Sequence, residues 1–350
     1  MNNKYRILLF GNYDGTNIGD DCILLHVLDR FAIYADEICI PSRRPESIAE
    51  KYHVNSIPLL SFRFVSEFLK SDFFLIGGGG IFSKYVGPYA KLLPLFAILA
   101  KLFSKKVIYY NVGVYNTTPF LVKESVKFSM LFSNNISVRD ESSYDAIGFV
   151  KKVKNVRIVS DPSFALEPIG VDEAKRLLLN EGVVIDRFLV GVSLKYTMNE
   201  KVNSKVVSEF SEFVDWLIEK FDAEIIFFPF SFNPLRPVEN DFEIAKQICK
   251  RLRSKKKDNF KVIQTRNYKP REIKGMIGLM NVFIGMRFHS IVFAYSMKTP
   301  LLGVSYEEKC RDFLESRCLQ FIKAEHVAFD ILRQLFLSDV MKGEEIKERI

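Results

Sequence analysis

The sequence predicts an α/β protein with two doubly wound parallel-sheet domains, and three observations lead to this prediction. Short apolar runs alternate with segments of helical periodicity along the whole chain, as strand–helix–strand units do. The strand candidates are apolar on both faces, which is typical of parallel strands covered by helices. There are too many of them for one open sheet of ordinary size, so the chain divides into two domains.

The first half of the chain contains five strand candidates, each a short apolar run. They are YRILLF (5–10), DEICI (36–40), DFFLIG (72–77), KVIYYNVG (106–113) and NISVR (135–139). Residues 20–31 lie between the first two, and their apolar side chains recur every three or four positions, on one face of a helix. This half is therefore predicted to form one parallel sheet with helical connections.

The second half repeats this alternation after a candidate domain boundary. Its strand candidates are RFLVGVS (187–193), EIIFFPF (224–230), FKVIQT (260–265), NVFIG (281–285) and PLLGVSY (300–306), and its helix candidates are 203–221, 239–253 and 270–280. The boundary is placed near 161-DPSFALEPIG-170, where two prolines and a glycine follow the strand candidate VRIVS. We expect an N-terminal domain over residues 1–168 and a C-terminal domain over 169–350 that ends in a helix.

Composition limits the classes of function. With 48% hydrophobic residues among 350, the chain can bury a sizeable core in each domain. The net charge of +8 suits an anionic ligand or an acidic membrane surface, although a solvated basic face gives the same balance. The sequence has no zinc-ligand spacing, RNP motif or aromatic–basic ladder, so nucleic acid is not an expected partner.

The cysteines and the first residues indicate the compartment. The five cysteines are scattered and lie mostly in apolar segments, as reduced core thiols do, and they form no disulfide framework. The opening MNNKYRILLFGN starts a strand at once and lacks the plan of a signal peptide. We therefore expect a cytoplasmic protein.

Segment 89–106, YAKLLPLFAILAKLFSKK, has two interpretations. Pro94 and Lys101 interrupt its apolar stretch, which is shorter than the about 20 residues that span a bilayer. The preferred interpretation is a helix that covers a sheet, because any alternating α/β fold requires such helices. The alternative is a basic-flanked amphipathic helix that contacts a membrane peripherally, at the inner face of the cell membrane.

The unusual motifs follow strand candidates, where parallel sheets place their ligand sites. The first is 11-GNYDGTNIGDD-21, whose glycines allow close backbone approach and which leads into a helix N-terminus suited to an anion or a sugar hydroxyl. Its candidate binding residues are Asn17, Gly19 and Asp20. The spacing matches neither a Walker loop nor GxGxxG. The alternative interpretation is a tight turn in which Asp20 caps the helix.

The run Gly77–Gly80 is a second candidate. Four consecutive glycines cost backbone entropy, so a plain loop would rarely use them. They suit a place where the main chain passes close to a ligand or to the other domain, with Gly78, Gly79 and Gly80 as candidate contacts. A merely flexible turn is the alternative.

Arg139, Arg287 and His289 are the candidate anion-binding residues. Arg139 directly follows a strand candidate, where it is either an anion ligand or a surface ion-pair partner. Arg287 and His289 flank Phe288 between a strand candidate and a predicted helix over 288–296, whose N-terminus favours an anion. A guanidinium grips carboxylate or phosphate, and an imidazole donates to the same anion or transfers a proton. The alternative is satisfied polar residues at a domain seam.

The remaining histidines are predicted to be surface or packing residues. They are His26, His53 and His326. They make no metal-ligand cluster with the cysteines, so no metal site and no cofactor are expected.

These motifs together resemble the polysaccharide pyruvyl transferase family. The matching blocks are GNYDGTNIGDDCIL, IGGGGIF, SVRDESS, DPSF and GMRFHSIVFAYSMKTPLLGVSYEEK, in the family's order over nearly the whole chain. The resemblance implies a GT-B-like fold of two Rossmann-type domains facing a cleft, with the acceptor on the N-terminal side and the donor in the C-terminal domain. The first loop departs from the family at Asp14-Gly15-Thr16, where relatives often carry a turn richer in glycine and aromatic residues. This departure leaves the acceptor sugar open.

The resemblance also implies a reaction and roles for residues. The donor is phosphoenolpyruvate, and the acceptor is a sugar of a glycan or glycan precursor, lipid-linked or polymeric, on which a pyruvate ketal forms. Arg139, Arg287 and His289 correspond to the family's donor-contacting residues, with Phe288 between the last two. Two arginines and a histidine would form a compact cationic clamp for this small, highly charged donor. His289 is the candidate general acid, and Asp20 and Asp161 are the candidate bases for the sugar hydroxyls.

Two other functions remain open at this stage. A nucleotide-sugar glycosyltransferase of the same shape would use an acidic residue to grip a ribose, for which Glu307 and Glu308 are candidates. A non-catalytic glycan- or partner-binding protein would have no reason to keep Arg139, Arg287 and His289 together. Fold alone does not decide between these functions, so the preference for pyruvyl transfer rests on the motifs.

Overall fold

The chain forms two compact units, each with its own sheet. The computed structural model describes residues 5–83, 87–233 and 236–340. One unit comprises the residues up to Gly15 together with Gly19–Leu166, and the other comprises Thr16–Ile18 and the chain from Glu167 onwards. Both sheets are parallel throughout and are covered by helices, which confirms the predicted fold class of two parallel-sheet α/β domains.

The first unit is built on a seven-stranded sheet. Its strands are β1 (Tyr5–Phe10), β2 (Ala35–Ser42), β3 (Asn55–Pro58), β4 (Phe73–Phe82), β5 (Lys106–Val114), β6 (Asn135–Val138) and β7 (Val156–Ile158). They lie in the order β3-β2-β1-β4-β5-β6-β7. The order reverses between β1 and β4, and ligands of doubly wound sheets bind beyond the carboxyl ends of strands at such a switch point.

Helices cover both faces of this sheet. They are α1 (Ile18–Phe31), α2 (Pro45–Tyr52), α3 (Phe62–Lys70), α4 (Pro88–Leu102), α5 (Phe120–Leu131), α6 (Glu141–Ala146), α7 (Val150–Val153) and α8 (Pro162–Ala165). Side chains alternate along β1, so Leu8 and Phe10 enter the core under α3–α5, whereas Ile7 and Leu9 enter the core with α1 and α2. Segment 89–106 therefore contains a sheet-covering helix, as preferred from the sequence.

The second unit is built on a six-stranded sheet. Its strands are β8 (Leu189–Ser193), β9 (Glu224–Phe227), β10 (Phe260–Val262), β11 (Val282–Gly285), β12 (Leu301–Ser305) and β13 (Phe321–Lys323). Their order is β10-β9-β8-β11-β12-β13, which reverses between β8 and β11. Every residue of both central strands is buried, in agreement with their continuous apolar runs.

The second unit's helices connect these strands. They are α9 (Val171–Asn180), α10 (Glu200–Phe221), α11 (Asp241–Arg251), α12 (Pro270–Ile277), α13 (Phe288–Ser296), α14 (Glu308–Ser316) and α15 (Phe329–Leu335), which continues into a π-helical turn (Phe336–Val340). Single 3₁₀ turns occur at Pro237–Glu239, Lys257–Asn259, Thr265–Asn267 and Ala324–His326. Residues 341–350, at the end of the domain for which a C-terminal helix is predicted, lie outside the described residues.

Three local predictions differ from the structure. The glycine run 77–80 is part of β4 and not a loop after it, because its backbone continues to pair with β5 up to Phe82. Helix α1 begins at Ile18, so Asp20 lies in its first turn and is not its N-cap. Strands β3 and β13 were not predicted, because they are edge strands with few buried side chains and little apolar signal.

Candidate functional site

The loop after β1 packs against the glycines of β4. The Tyr13 ring lies where side chains of Gly11 and Gly78 would otherwise stand, and a Cβ on Gly78 would come within 2.5 Å of the Tyr13 hydroxyl. Gly78 and Gly79 also have φ values of +95° and +66°, a region that favours glycine. The glycine run is thus explained first by the close approach of Tyr13, which sequence reasoning did not foresee.

Asp20, Gly79 and Arg139 come together beside this loop. A Cβ on Gly79 would lie 3.5 Å from Asp20 Oδ1 and 3.7 Å from Arg139 Nη1. Gly113 of β5 adjoins the same place, because its Cβ would lie 2.9 Å from Arg139 Cδ and from the Gly79 carbonyl oxygen. Gly79 and Gly113 lie on neighbouring strands and have no side chains. They therefore leave space for the Asp20 carboxylate and the Arg139 guanidinium at the carboxyl end of the sheet.

Arg139 is almost fully buried and paired. Its Nη2 donates to Asp161 Oδ2 at 2.8 Å, and its Nε lies 3.5 Å from Asp140 Oδ2. Asp161 also accepts hydrogen bonds from the backbone N–H and the hydroxyl of Ser163, and thereby caps α8. Arg139 is consequently held by a buried aspartate from the DPSF motif, so its charge is at least partly balanced within the first unit.

Asp20 is the carboxylate of this cluster that titrates near neutrality. Burial raises its pKa to about 7, even though the hydrogen bond that Asn12 Nδ2 donates at 2.7 Å lowers it. Asp14 and Asp21 raise it further, and Arg139 lowers it. A carboxylate tuned in this way can accept a proton near pH 7.

The other candidates of the first loop and of β4 are placed differently. Asn17 forms an isolated antiparallel bridge with Ser231, and the neighbouring Ile18 N–H donates to the Phe230 carbonyl oxygen at 2.9 Å. Gly19 lies in the first turn of α1. Gly80 has room around it, since its Cβ would meet only the Tyr115 ring, 3.7 Å away. Gly80 therefore does not pack against Asp20 or Arg139 as Gly79 does.

In the second unit, Arg287 stands between β11 and α13. Its Nε and Nη2 donate to the two carboxylate oxygens of Asp241 at 2.9 and 2.5 Å. Asp241, fully buried at the start of α11, also accepts from the backbone N–H groups of Phe230 and Ser231, each at 3.0 Å. The carboxylate thus has four donors, and it fixes the plane of the guanidinium.

Phe288 and His289 form the first turn of α13. Their rings are 5.4 Å apart in an edge-to-face arrangement, and the Lys309 ammonium lies 3.3 Å from the centre of the Phe288 ring. Both residues are half-buried, as is Arg287. The predicted R-F-H element is therefore one structural cluster at the carboxyl end of β11 and the N-terminus of α13, where an anion is favoured.

Lys195 is a charged residue of this edge that sequence reasoning missed. It is half-buried beyond the end of β8, and its ammonium lies 4.4 Å from the centre of the Tyr306 ring. Burial, followed by the neighbouring charge of Arg287, lowers the pKa of Lys195 to about 8. The signal in the sequence was a cation directly after an apolar strand, the same pattern that singled out Arg139 and Arg287.

The other expectations concern metals and membranes. Within residues 5–83, 87–233 and 236–340, no three His, Cys, Asp or Glu side chains converge as a metal site would require. In the part of the chain that the structure describes, no helix has both the length and the apolar character to cross a lipid bilayer.

His26 packs within the first unit, where its Nε2 lies 3.0 Å from the Tyr110 hydroxyl oxygen.

The fold is similar to those of sugar-nucleotide enzymes with low sequence identity. UDP-GlcNAc 2-epimerase from Methanocaldococcus jannaschii has a TM-score of 0.66 at 14% identity, with 97% of this chain and 94% of that chain covered. UDP-GlcNAc 2-epimerase from Neisseria meningitidis, bound to UDP-GlcNAc, has a TM-score of 0.61 at 11% identity over 99% and 94%. ADP-heptose LPS heptosyltransferase II from E. coli has a TM-score of 0.56 at 12% identity over 97% and 99%. At these identities the likeness concerns the fold alone.

Sequence comparison identifies the family. No curated protein matches the chain significantly in sequence. The model of the polysaccharide pyruvyl transferase family, however, matches residues 17–308, which include Asp20, the glycine run, Arg139 and the Arg287–His289 element. The chain therefore belongs to the polysaccharide pyruvyl transferase family.

Proposed function

We propose that this protein transfers a pyruvyl group from phosphoenolpyruvate to a sugar of a glycan or glycan precursor, forms a pyruvate ketal and releases phosphate. The observation that carries the proposal is the R-F-H cluster at the carboxyl end of β11 in a chain of this family. Phosphoenolpyruvate carries a phosphate and a carboxylate on a three-carbon frame. Such a ligand calls for several donors close together, as Arg287, His289 and the first N–H groups of α13 provide.

The reaction requires two new C–O bonds at carbon 2 of the donor. The methylene carbon takes up a proton and becomes a methyl group, while carbon 2 gains oxocarbenium character and is attacked by the first sugar hydroxyl. The C–O bond to phosphate breaks, and the second hydroxyl closes the ketal. Of the two protons released by the hydroxyls, one balances the proton taken up by the methyl group and the other leaves with the phosphate. The chain needs only acid–base groups and anion ligands for these steps, so we propose no cofactor.

Proton transfer is assigned to His289 and Asp20. His289 is the proposed general acid, because it lies in the cluster that binds the donor and its ring can deliver a proton. Asp20 is favoured over Asp161 as the general base. Asp161 is committed to Arg139 and Ser163, whereas the pKa of Asp20 is raised to about 7, mainly by burial. Arg139 remains a proposed donor ligand, and its pairing with Asp161 would orient its guanidinium.

The acceptor is proposed to be a sugar with two suitably placed hydroxyls. The first unit offers the Asp20 carboxylate and the glycines of β4, where the Tyr13 ring packs on Gly78 and where Gly79 adjoins Asp20 and Arg139. The glycine at position 80 is the most open of these, because only the Tyr115 ring approaches it. Carboxylates and backbone groups are suitable hydrogen-bond partners for sugar hydroxyls.

We also propose that the protein is cytoplasmic and contacts the inner face of the cell membrane through segment 89–106. Helix α4 exposes Leu92, Leu95 and Leu102, and Phe103 follows it. The exposed apolar surface continues on the adjacent helices α3, α5 and α7. It includes Phe62, Val65, Leu69, Phe120, Leu121, Phe128, Phe132, Phe149 and Val153. This surface is called the helical layer below.

The charge of the helical layer favours an anionic lipid surface. Segments 61–70, 88–106, 120–132 and 149–154 contain eleven lysines and arginines, of which Lys105 is buried, and only two glutamates. Like charges would oppose the pairing of two copies through this face. Exposed Phe and Leu beside Lys and Arg are typical of surfaces that insert shallowly at a membrane interface. A lipid-linked acceptor would be reached from such a position.

The reaction is tested by incubating the purified protein with phosphoenolpyruvate and a panel of free and lipid-linked glycans. Phosphate release that depends on an acceptor, with a ketal in the product by mass spectrometry, is the expected result. Release of a nucleoside diphosphate from a sugar nucleotide would instead favour the glycosyltransferase alternative. In that alternative Glu307 would bind a ribose, but it accepts a hydrogen bond from the Tyr306 hydroxyl at 2.9 Å.

A further inference from the structure

Lys195 and Arg287 occupy equivalent positions on two neighbouring strands. In the sheet, Ser193 at the end of β8 is the register partner of Gly285 at the end of β11. Each strand is followed by one apolar residue and then by a cation, Lys195 or Arg287. Because β8 and β11 are the strands between which the order reverses, both cations stand at the second unit's topological switch point.

The Lys195 ammonium is held in place but has no anionic partner among the described residues. It packs over the Tyr306 ring at 4.4 Å, and no described carboxylate or carbonyl oxygen accepts a hydrogen bond from it. The two carboxylates that influence it electrostatically, Asp241 and Glu307, have other donors. Asp241 binds Arg287 and two backbone N–H groups, and Glu307 accepts from Tyr306. A half-buried ammonium without a counterion is costly unless a ligand supplies the negative charge.

Charge balance shows why this second cation matters. Arg287 forms a two-point pair with the fully buried Asp241, and the pair carries no net charge. Its Nε and Nη2 are already engaged, so Arg287 cannot present that edge of its guanidinium to a ligand. Phosphoenolpyruvate carries a carboxylate and a phosphate of about −1.5 to −2 at pH 7. The R-F-H cluster alone therefore does not balance the charge of the donor.

We propose that Lys195 binds the phosphate of phosphoenolpyruvate and supplies the positive charge that the Arg287–Asp241 pair does not. This inference rests on the proposed function and adds a donor ligand that the R-F-H motif does not contain. Lys195 reaches the site from β8, the first strand of the second unit. A point-like ammonium is well suited to phosphate, while Arg287 and the N-terminus of α13 remain available to the donor's other oxygens.

The first test compares Lys195→Met with Lys195→Arg and with Lys246→Met, an exposed lysine of α11. Lys195→Met should raise the KM for phosphoenolpyruvate by about 10–100-fold, Lys195→Arg by much less, and Lys246→Met should be unchanged. Titration calorimetry with inorganic phosphate as the probe should show a matching loss in Lys195→Met alone. Unchanged KM and unchanged phosphate affinity in Lys195→Met, with the protein folded, would overturn the inference.

The pH dependence separates a ligand from a merely structural lysine. Wild-type kcat/KM for phosphoenolpyruvate should fall as pH rises above about 8, because Lys195 then loses its charge. The other titratable or charged groups around it are Arg287, Asp241, Tyr306, Glu307 and Cys310, and burial raises the pKa of Tyr306 and that of Cys310 away from this range. Lys195→Arg should move the fall to higher pH. An identical fall in wild type and Lys195→Arg would also contradict the inference.

Failure of the proposed function would look different. If wild-type protein binds inorganic phosphate through Lys195 but releases none from phosphoenolpyruvate with any acceptor, the phosphate site stands and pyruvyl transfer is wrong. If wild-type protein uses phosphoenolpyruvate and Lys195→Met does so equally well, pyruvyl transfer stands and the Lys195 inference is wrong. Wild-type protein that binds neither compound would contradict both.

Discussion

Arg287 donates from Nε and Nη2 to both carboxylate oxygens of Asp241, at 2.9 and 2.5 Å, in the interior of the second unit. The sequence predicted Arg287 as a donor ligand but gave no sign of this partner, which is 46 positions away. The pair gives Arg287 two tasks. It binds the donor in the proposed reaction, and it neutralises a buried aspartate that also holds the backbone of Phe230 and Ser231.

We predict that Arg287→Ala lowers both stability and donor use. Removing one member of a buried ion pair leaves the other charge uncompensated and costs about 3–5 kcal/mol. The loss should be smaller here, because two backbone N–H groups still solvate Asp241. Urea unfolding measures the stability, and the KM for phosphoenolpyruvate measures donor use. An Arg287→Ala variant with wild-type KM would contradict the assignment.

The double variant Arg287→Met/Asp241→Asn separates the two tasks. It leaves no unpaired buried charge, and the amide oxygen of asparagine can still accept from the backbone N–H groups of Phe230 and Ser231, so the free energy of unfolding should recover relative to Arg287→Ala. Donor use should not recover, since the ligand itself is missing. Recovery of both properties would mean that Arg287 serves only the fold.

Gly78→Ala should destabilise the protein far more than Gly80→Ala. At position 78 an added Cβ would lie 2.5 Å from the Tyr13 hydroxyl, on a backbone with φ of +95°. At position 80 the nearest atom to an added Cβ would be 3.7 Å away, which is ordinary contact. Gly78→Ala should cost more than about 1 kcal/mol and Gly80→Ala close to nothing in a thermal or urea unfolding experiment. Equal losses of stability in the two variants would show that packing against Tyr13 does not explain the glycine run 77–80.

Asp20 should make stability depend on pH. Its folded-state pKa is raised to about 7, from an ordinary value of 3.8, so the folded protein binds a proton that the unfolded chain has lost between those values. Stability contributed by Asp20 is therefore present at low pH and declines as pH rises from about 4 to about 7. Asp20→Asn, which cannot ionise, should lack this decline and gain about 1–3 kcal/mol over wild type at pH 8. Urea unfolding of both proteins at pH 5 and pH 8 checks this; parallel changes in the two would contradict it.

The helical layer should bind anionic vesicles and not neutral ones. The double variant Phe62→Ser/Leu121→Ser removes two of its most exposed side chains, at 97% and 80% exposure, and should reduce co-sedimentation with phosphatidylglycerol vesicles. Val171→Ser/Leu179→Ser, on α9 of the second unit, removes two exposed apolar side chains elsewhere and should have no effect. Binding should also weaken as the salt concentration rises from about 0.05 M to about 0.5 M, because salt screens the attraction between the basic side chains and the anionic lipids. Equal sedimentation of both variants would remove the helical layer from the proposal.

The sequence predicted the strands that carry the sites better than it predicted what surrounds their ends. Strands β1 and β11 follow from short, continuous apolar runs, so the positions of the first loop and of Arg287 were predictable. The edge strand β3 has a single buried residue and leaves almost no pattern. The partners of Arg139 and Arg287 come from Asp161 and Asp241, which are distant in sequence. Such pairings depend on how whole elements pack, and periodicity along the chain carries no information about them.

Lys195 and the glycine run illustrate the same limit. The glycine run stood out in the sequence and Lys195 did not, but the role of each depends on another residue, Tyr13 for the glycines and Tyr306 for the lysine. The glycines were predicted to admit a ligand or the other domain. They admit a tyrosine ring from the neighbouring loop instead, at least at position 78.

The last prediction concerns His289, in the first turn of α13 beside Phe288. Asparagine keeps a hydrogen-bond donor at this position but cannot deliver a proton at a useful rate. As general acid, His289 makes the interaction that matters only in the transition state, so His289→Asn should lower kcat by about 10²–10⁴-fold and leave the KM for phosphoenolpyruvate nearly unchanged. As a mere ligand of the donor, it would raise KM and spare kcat. His326→Asn, at an exposed histidine beside Glu325, is the matched control and should change neither constant. His289→Ala extends the test, because added imidazole can enter the space of the missing ring and restore part of kcat if proton delivery is what was lost. A raised KM with intact kcat in His289→Asn, and no rescue of His289→Ala by imidazole, would reduce His289 to a binding role and exclude it as the source of the proton.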